Sequence, residues 1–334
     1  MKVKDRYEHR PYAHCETGTV ASLLRHHGLE ISEPMVFGLA SGLMFAFLPF
    51  VKMTGGMPIV AYRSIPKSII GGIQRRLGVK FKVRKYRDEV KAMEDLSELV
   101  DKKQVVGVQT SVFWLPYFPQ ESRIPFNAHN IVIFGKDNGE YLVSEPVFEE
   151  PTRIKPQDLQ NARFAKGIMA PKGFMYYPTY IPEKIDFNPL ILKSIKRTNF
   201  MMLGAPTPCG VRGIFYLANY IEKLGGKKNE KYIRSLLGHI TLMQEEVGTG
   251  GGGFRYMYAA FLEEAYERLE IPVLQEAYKK MTETGDLWRN FALVCARAFK
   301  RKDSEIDLPH IANLLRMAGK AEKEVHLMLR KLSS

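Results

Sequence analysis

The chain is poor in cysteine, has no long apolar run and carries no block of like charge, and each absence excludes a class of protein. Only Cys15, Cys209 and Cys295 occur in 334 residues. So few, and an odd number, rule out a disulfide framework and point to a reducing compartment, the cytoplasm. The opening stretch Met1 to Glu8 alternates charge with no apolar centre, so no signal peptide is expected. The stretch 35–51 carries no charge over 17 residues. A membrane span needs about 20 residues. This one is also broken by Gly38, Ser41, Gly42 and Pro49, and is expected as buried helix and loop beside the helix that follows Cys15. The eight histidines have no Cys or His partners at ligand spacing, so neither a metal nor another cofactor is expected.

The net charge of +13 is spread along the chain, and no nucleic-acid module is recognisable. Neither nucleic acid nor membrane is an expected partner. The densest cluster is Arg75, Arg76, Lys80, Lys82, Arg84, Lys85, Arg87 and Lys91. Alternation from Val79 to Arg84 reads as a half-exposed strand with one basic face, either a solvated edge guarded by lysines or a surface for an acidic partner. An acyl carrier protein with its phosphopantetheine arm has that chemistry.

What is present is a set of residues suited to thiol chemistry. Cys15 stands at the start of an apolar, helix-like segment, Glu16 to His27, closed by Gly28. A helix N-terminus and a nearby imidazolium both favour the thiolate. Far downstream, His129 opens an apolar strand and Glu145 follows a second one, with Asp137-Asn138-Gly139 between them. A turn centred near Asn138 pairs residues whose numbers sum to about 276, since antiparallel partners count in opposite directions. His129 and Glu145 sum to 274, close enough for the carboxylate to reach the imidazole and fix its tautomer. Cys15, His129 and Glu145 are thus the candidate nucleophile, base and orienting acid. His14 ranks second as base, Asp137, Asn127 and Asn130 are weaker orienters, and the Cys15 backbone N–H is the simplest oxyanion donor.

Together, His14-Cys15-Glu16-Thr17, His26-His27-Gly28-Leu29, the run Ser32 to Leu39, Gly42-Leu43-Met44-Phe45 and the hairpin from His129 to Glu145-Pro146 resemble the papain-like group of the butirosin-biosynthesis protein H acyltransferase. The C-terminal partner domain of that group is echoed by Gly248 to Arg255 and Tyr258 to Leu262. A similar layout occurs in double-glycine leader peptidases, which carry Asp where this chain has Glu145. Those peptidases also place a glutamine ahead of the cysteine, where this chain has Glu8, His9 and Arg10. The resemblance implies acyl transfer from a carrier-protein thioester to a small-molecule amine. A cysteine peptidase or amidase, and a non-catalytic binding protein on the same scaffold, are the alternatives.

The expected fold class is α+β: a papain-like domain over 1–180, then an all-α helical domain over 181–334. Helices are expected over 68–77 and 88–101, a buried strand over 105–110, an aromatic loop from Phe113 to Phe126, and a strand near 163–169. The Pro- and Tyr-rich stretch 170–190 carries no clear period. Beyond it, helices are expected over 210–225, 228–246, 253–269, 271–284, 286–300 and 306–332. The run Gly248 to Gly253 is either a lid or linker, or an anion cradle in which Gly250, Gly251 and Arg255 would touch substrate, with His14 as a further contact. Trp288 is expected in the core and Arg289 on the surface.

Overall fold

A computed structural model describes residues 6–52, 56–226, 228–301 and 305–333. Helices α1 (Cys15–His26) and α2 (Glu33–Leu39) lead into strands β1 (Leu43–Lys52) and β2 (Pro58–Arg63). Then follow α3 (Ser68–Leu77), β3 (Lys80–Arg84), α4 (Glu89–Asp101), β4 (Val106–Thr110), β5 (His129–Asp137), β6 (Glu140–Ser144), β7 (Thr152–Ile154), α5 (Pro156–Arg163) and β8 (Met175–Tyr180). The rest is helical: α6 (Phe187–Leu203), α7 (Gly210–Glu222), α8 (Glu230–Thr241), α9 (Arg255–Leu269), α10 (Pro272–Lys300) and α11 (Leu308–Arg330). The chain divides into two units, 1–36 with 66–185 and 37–65 with 186–334. This division differs from a single cut near residue 180 in that residues 37–65 group with the C-terminal half.

The first unit is α+β. Six antiparallel strands run in the order β3-β8-β4-β5-β6-β7. Helix α1, buried along its whole length, packs on β5, β4 and β8. On the other face lies an apolar core of Leu96, Val106, Val108, Ile131, Ile133, Val143, Leu159 and Met175. Strand β3 is an edge with Lys80 and Lys82 exposed, the arrangement in which charge protects unpaired backbone. The second unit is helical and adds the β1-β2 hairpin. Residues 35–51, expected as helix and loop, therefore form the end of α2 and strand β1. Among the described residues no helix is long and apolar enough to cross a membrane.

Local chemistry explains most boundaries. Asp88, Asn229 and Asp307 accept backbone N–H groups of Lys91, Tyr232 and His310 and so cap α4, α8 and α11. Asn138 and Gly139 both have positive φ, 50° and 79°, as a two-residue type I′ hairpin turn requires. Three expectations are corrected. Arg163 ends helix α5, begun by Pro156 at its first position, so no strand runs over 163–169. Strand β8 lies instead in the stretch that showed no period: flanked by β3 and β4, its Met175 to Pro178 are all buried, which erases alternation. Helix α10 is continuous where two helices were expected; Gly285 leaves room for the Tyr256 ring, which a Cβ would meet at 2.7 Å. Helix α6 was not anticipated at all.

Gly107 in β4 lets α1 approach the sheet: a Cβ there would sit 2.8 Å from the Tyr176 ring and 3.0 Å from Thr19 Cγ2. Gly107→Ala is expected to destabilise the first unit by about 1–3 kcal/mol through overpacking. Chemical denaturation followed at Trp114, the tryptophan of the first unit, checks this: its transition moves to lower denaturant.

Candidate active site

Cys15 is the first residue of α1, buried with 6 % of its surface exposed. Its entry loop is held by a carboxylate. Glu33 accepts the backbone N–H of Ala13 at 2.9 Å and of His14 at 2.8 Å, and the Thr17 hydroxyl at 2.9 Å. Burial pushes the Glu33 carboxyl up, against the pull of these three donors. An anion here satisfies orphan amides and complements the helix dipole. His14 is the N-cap: its Nδ1 accepts the N–H of Thr17 at 3.3 Å. One residue on, Glu16 reaches to α3 and accepts the N–H groups of Lys67 and Ile69, both at 3.1 Å. Three acids and caps thus fix the nucleophile helix at its reactive end.

The hairpin pairs Val132 with Ser144 and Ile133 with Val143, both summing to 276, before a bulge shifts the register toward the turn. Continuing that register sets Glu145 opposite Ile131, diagonal to His129 on the same strand face. The contact follows: His129 Nε2 lies 3.0 and 2.9 Å from the two Glu145 oxygens. With Nε2 taken, Nδ1 is the nitrogen left to face Cys15, whose thiol also favours the charged imidazole. Burial pushes the His129 pKa down, but the Glu145 charge and the bonds to Cys15 and Glu145 outweigh it, raising it to about 10. The Cys15 sulfur also lies 4.0 Å from the Ala128 carbonyl oxygen, which Asn130 Nδ2 holds at 3.0 Å.

The N-terminal segment ties the nucleophile to the acid. Tyr12 N–H donates to the Pro146 carbonyl, and the His9 ring contacts Ser144 Oγ at 2.7 Å and the Phe148 carbonyl at 3.0 Å. The aromatic loop closes the other side. Tyr117 donates its hydroxyl to Glu145 at 3.1 Å, Phe118 sets its edge against the His129 ring, and Phe148 packs on both. Burial, then the Glu145 charge, pushes the Tyr117 phenol well up, so it stays a donor. Sequence reasoning missed the roles of Glu33 and Tyr117. Glu33 lay inside a quoted motif but carried no spacing signal toward Cys15. Tyr117 was one of several aromatics in a loop without period.

The remaining candidates lie elsewhere or are otherwise engaged. Asp137 sits at the turn end of the hairpin and pairs with Arg153 at 2.6 Å. Asn127 binds the Lys166 and Ile168 carbonyls. Glu8 pairs with Arg10, and His9 serves Ser144. Arg255, expected to pin a substrate anion, is fully buried in the second unit, bonded to Glu322 at 2.7 and 3.1 Å and lying 4.6 Å from the Trp288 ring. Trp288 is core and donates to the same Glu322; Arg289 is half exposed. The glycine run already cradles an anion of the chain itself: Gly252 N–H donates to the Glu245 carboxylate, while Gly251 N–H goes to Thr249. Gly250 is exposed on that loop. Among the described residues no group of three or more acids, histidines or cysteines could hold a metal ion.

Glu145→Gln removes the attraction that outweighs burial, so the His129 imidazole is expected to titrate at least one pH unit lower. One unit corresponds to about 1.4 kcal/mol. The raised folded pKa means this proton stabilises the fold fully below the unfolded value of about 6.5, with the contribution fading as pH rises toward about 10. The Gln variant flattens that dependence. NMR titration of the ring protons and denaturation curves across pH 6–10 check both.

Two family models match. One, Butirosin biosynthesis protein H, N-terminal, covers residues 14–146, and the other, Domain of unknown function (DUF4872), covers 157–329. No curated protein matches the chain. A solved structure described as a C39-like peptidase from Bacillus anthracis is 15 % identical, covers 55 % of this chain and 96 % of its own, and superposes with a TM-score of 0.34. The first match and the geometry of the site together suggest a cysteine enzyme, butirosin biosynthesis protein H-like in its N-terminal part. Since the second model spans more than half of the sequence, the chain belongs to the family described as Domain of unknown function (DUF4872).

Proposed function

We propose that the protein is a thiol-dependent acyltransferase that forms an acyl-Cys15 intermediate and passes the acyl group to an amine. The observation that carries this reading is the grouping of Cys15, His129 and Glu145, in which a buried carboxylate holds on the imidazole the proton that the Cys15 thiol gives up, so that sulfur attacks as the thiolate. Sulfur attacks the carbonyl carbon of an acyl thioester, the C–S bond of the donor breaks, and His129 gives its proton to the departing thiolate. The amine then attacks acyl-Cys15, His129 takes its proton, and sulfur leaves. The Cys15 N–H, at the first position of α1, supports the developing oxyanion. All three side chains are nearly inaccessible to solvent, and exclusion of water favours an amine acceptor over hydrolysis. A carrier-protein thioester is the donor class proposed, in line with the basic surface of the first unit.

Incubation with a panel of acyl thioesters, read by intact mass, is expected to give one acyl adduct that Cys15→Ala abolishes and an added amine discharges. Cys295, whose thiol burial pushes up, should stay unmodified. An adduct that survives Cys15→Ala overturns the assignment.

A further inference from the structure

Two lysines from different segments of the first unit meet at one aromatic ring, and a third lies beside them. Lys67 Nζ lies 4.3 Å from the centroid of Phe174, and Lys85 Nζ lies 6.0 Å from the same centroid. Lys172 is brought beside Lys85 by the backbone: its carbonyl accepts the N–H of Tyr86 at 3.0 Å. Like charges drawn together in this way repel. Burial and then the charges of Lys85 and Lys172 push the Lys67 ammonium down, with Glu16 pulling the other way. Glu16 itself is committed to the N–H groups of Lys67 and Ile69. Two of the three lysines, Lys67 (φ 72°) and Lys172 (φ 53°), also adopt left-handed backbone, which non-glycine residues rarely do. The repulsion is a cost that a bound anion would offset.

The sheet register locates the cluster relative to the thiol. Thr110 at the end of β4 pairs with His129, and the neighbouring Gln109 N–H donates to the Phe174 carbonyl at 3.0 Å. Phe174 therefore stands at the same end of the sheet as His129, two strands away, which is roughly 10 Å at a strand spacing of about 4.8 Å. Its ring lies 5.5 Å from that of Tyr176, which packs toward Thr19 of α1. The lysines thus sit on the α1 side of the sheet, at the end where Cys15 starts the helix.

We propose that Lys67, Lys85 and Lys172 form a binding subsite for a phosphate or pyrophosphate group near the Cys15 end of the sheet. Ammonium groups bind such oxyanions as point charges without needing the forked geometry of arginine, and Phe174 provides an apolar floor that holds two of them in place. The subsite rests on these residues alone, whatever Cys15 attacks.

Thermal unfolding of the full chain in increasing inorganic pyrophosphate, with sodium chloride at matched ionic strength, tests it. A saturable rise in Tm of a few degrees is expected, absent with chloride. The rise should be lost in Lys67→Gln/Lys85→Gln/Lys172→Gln. It should persist in Lys193→Gln/Lys279→Gln/Lys320→Gln, which removes equal charge from exposed positions of the second unit. It should also persist in Cys15→Ala, so that failure of the anion site and failure of the thiol reading are seen separately. No saturable rise, or an equal rise in both triple variants, overturns the proposal. A second arm identifies the source of the anion and rests on the acyl-Cys15 reading. Faster acylation by a thioester of a phosphorylated thiol than by the same thioester of a neutral thiol, by about tenfold and only with the lysines present, assigns the phosphate to the donor. Equal rates together with saturable pyrophosphate binding assign it to a free ligand.

Discussion

The buried contact between His129 and Glu145 is the interaction on which the site depends. Burial alone would keep the imidazole neutral, and a neutral imidazole offers sulfur no counter-charge. The carboxylate reverses that preference. It can do so because it is itself satisfied: Tyr117 donates to it from the aromatic loop while the His129 ring takes both of its oxygens. Measured against a well-packed apolar replacement, a buried pair of this kind adds little stability, since both charges have to be desolvated. Its value is chemical, holding one proton at one ring and leaving the opposite nitrogen to the thiol.

Much of the surrounding architecture serves to bring three remote segments to this point. The hairpin aligns base and acid through a two-residue turn and a register that a bulge shifts by one residue. Helix α1 is pressed on the sheet through Gly107 and anchored at its start by Glu33. The Tyr12–Pro146 backbone bond then joins the helix entry to the residue after the acid. Backbone and carboxylate contacts of this sort position a nucleophile more rigidly than side-chain packing alone, because each is directional and buried.

The parts of this site legible in the sequence are those with a local period or a fixed offset. The hairpin count located Glu145 against His129 because antiparallel strands obey simple arithmetic, and Asn138-Gly139 marks its turn. The helix end at Gly28 was readable for the same reason. What escaped was set by tertiary contact. Strand β8 is buried on both faces and shows no alternation; Glu33 and Tyr117 act across 19 and 28 residues of chain. The glycine run was misleading in a different way. Its backbone amides do hold an anion, but the anion is Glu245 of the chain itself, and Arg255 close by is spent on Glu322. Sequence shows that a loop can cradle charge; only the fold shows whose charge it is.

The coupling between base and acid can be measured directly. Acylation rates of the parent chain, His129→Ala, Glu145→Gln and the double variant form a thermodynamic cycle. If Glu145 acts through the imidazole, the double variant should be no slower than His129→Ala alone. Losses that simply multiply would mean that the two residues act independently, and the contact would have no part in activating Cys15.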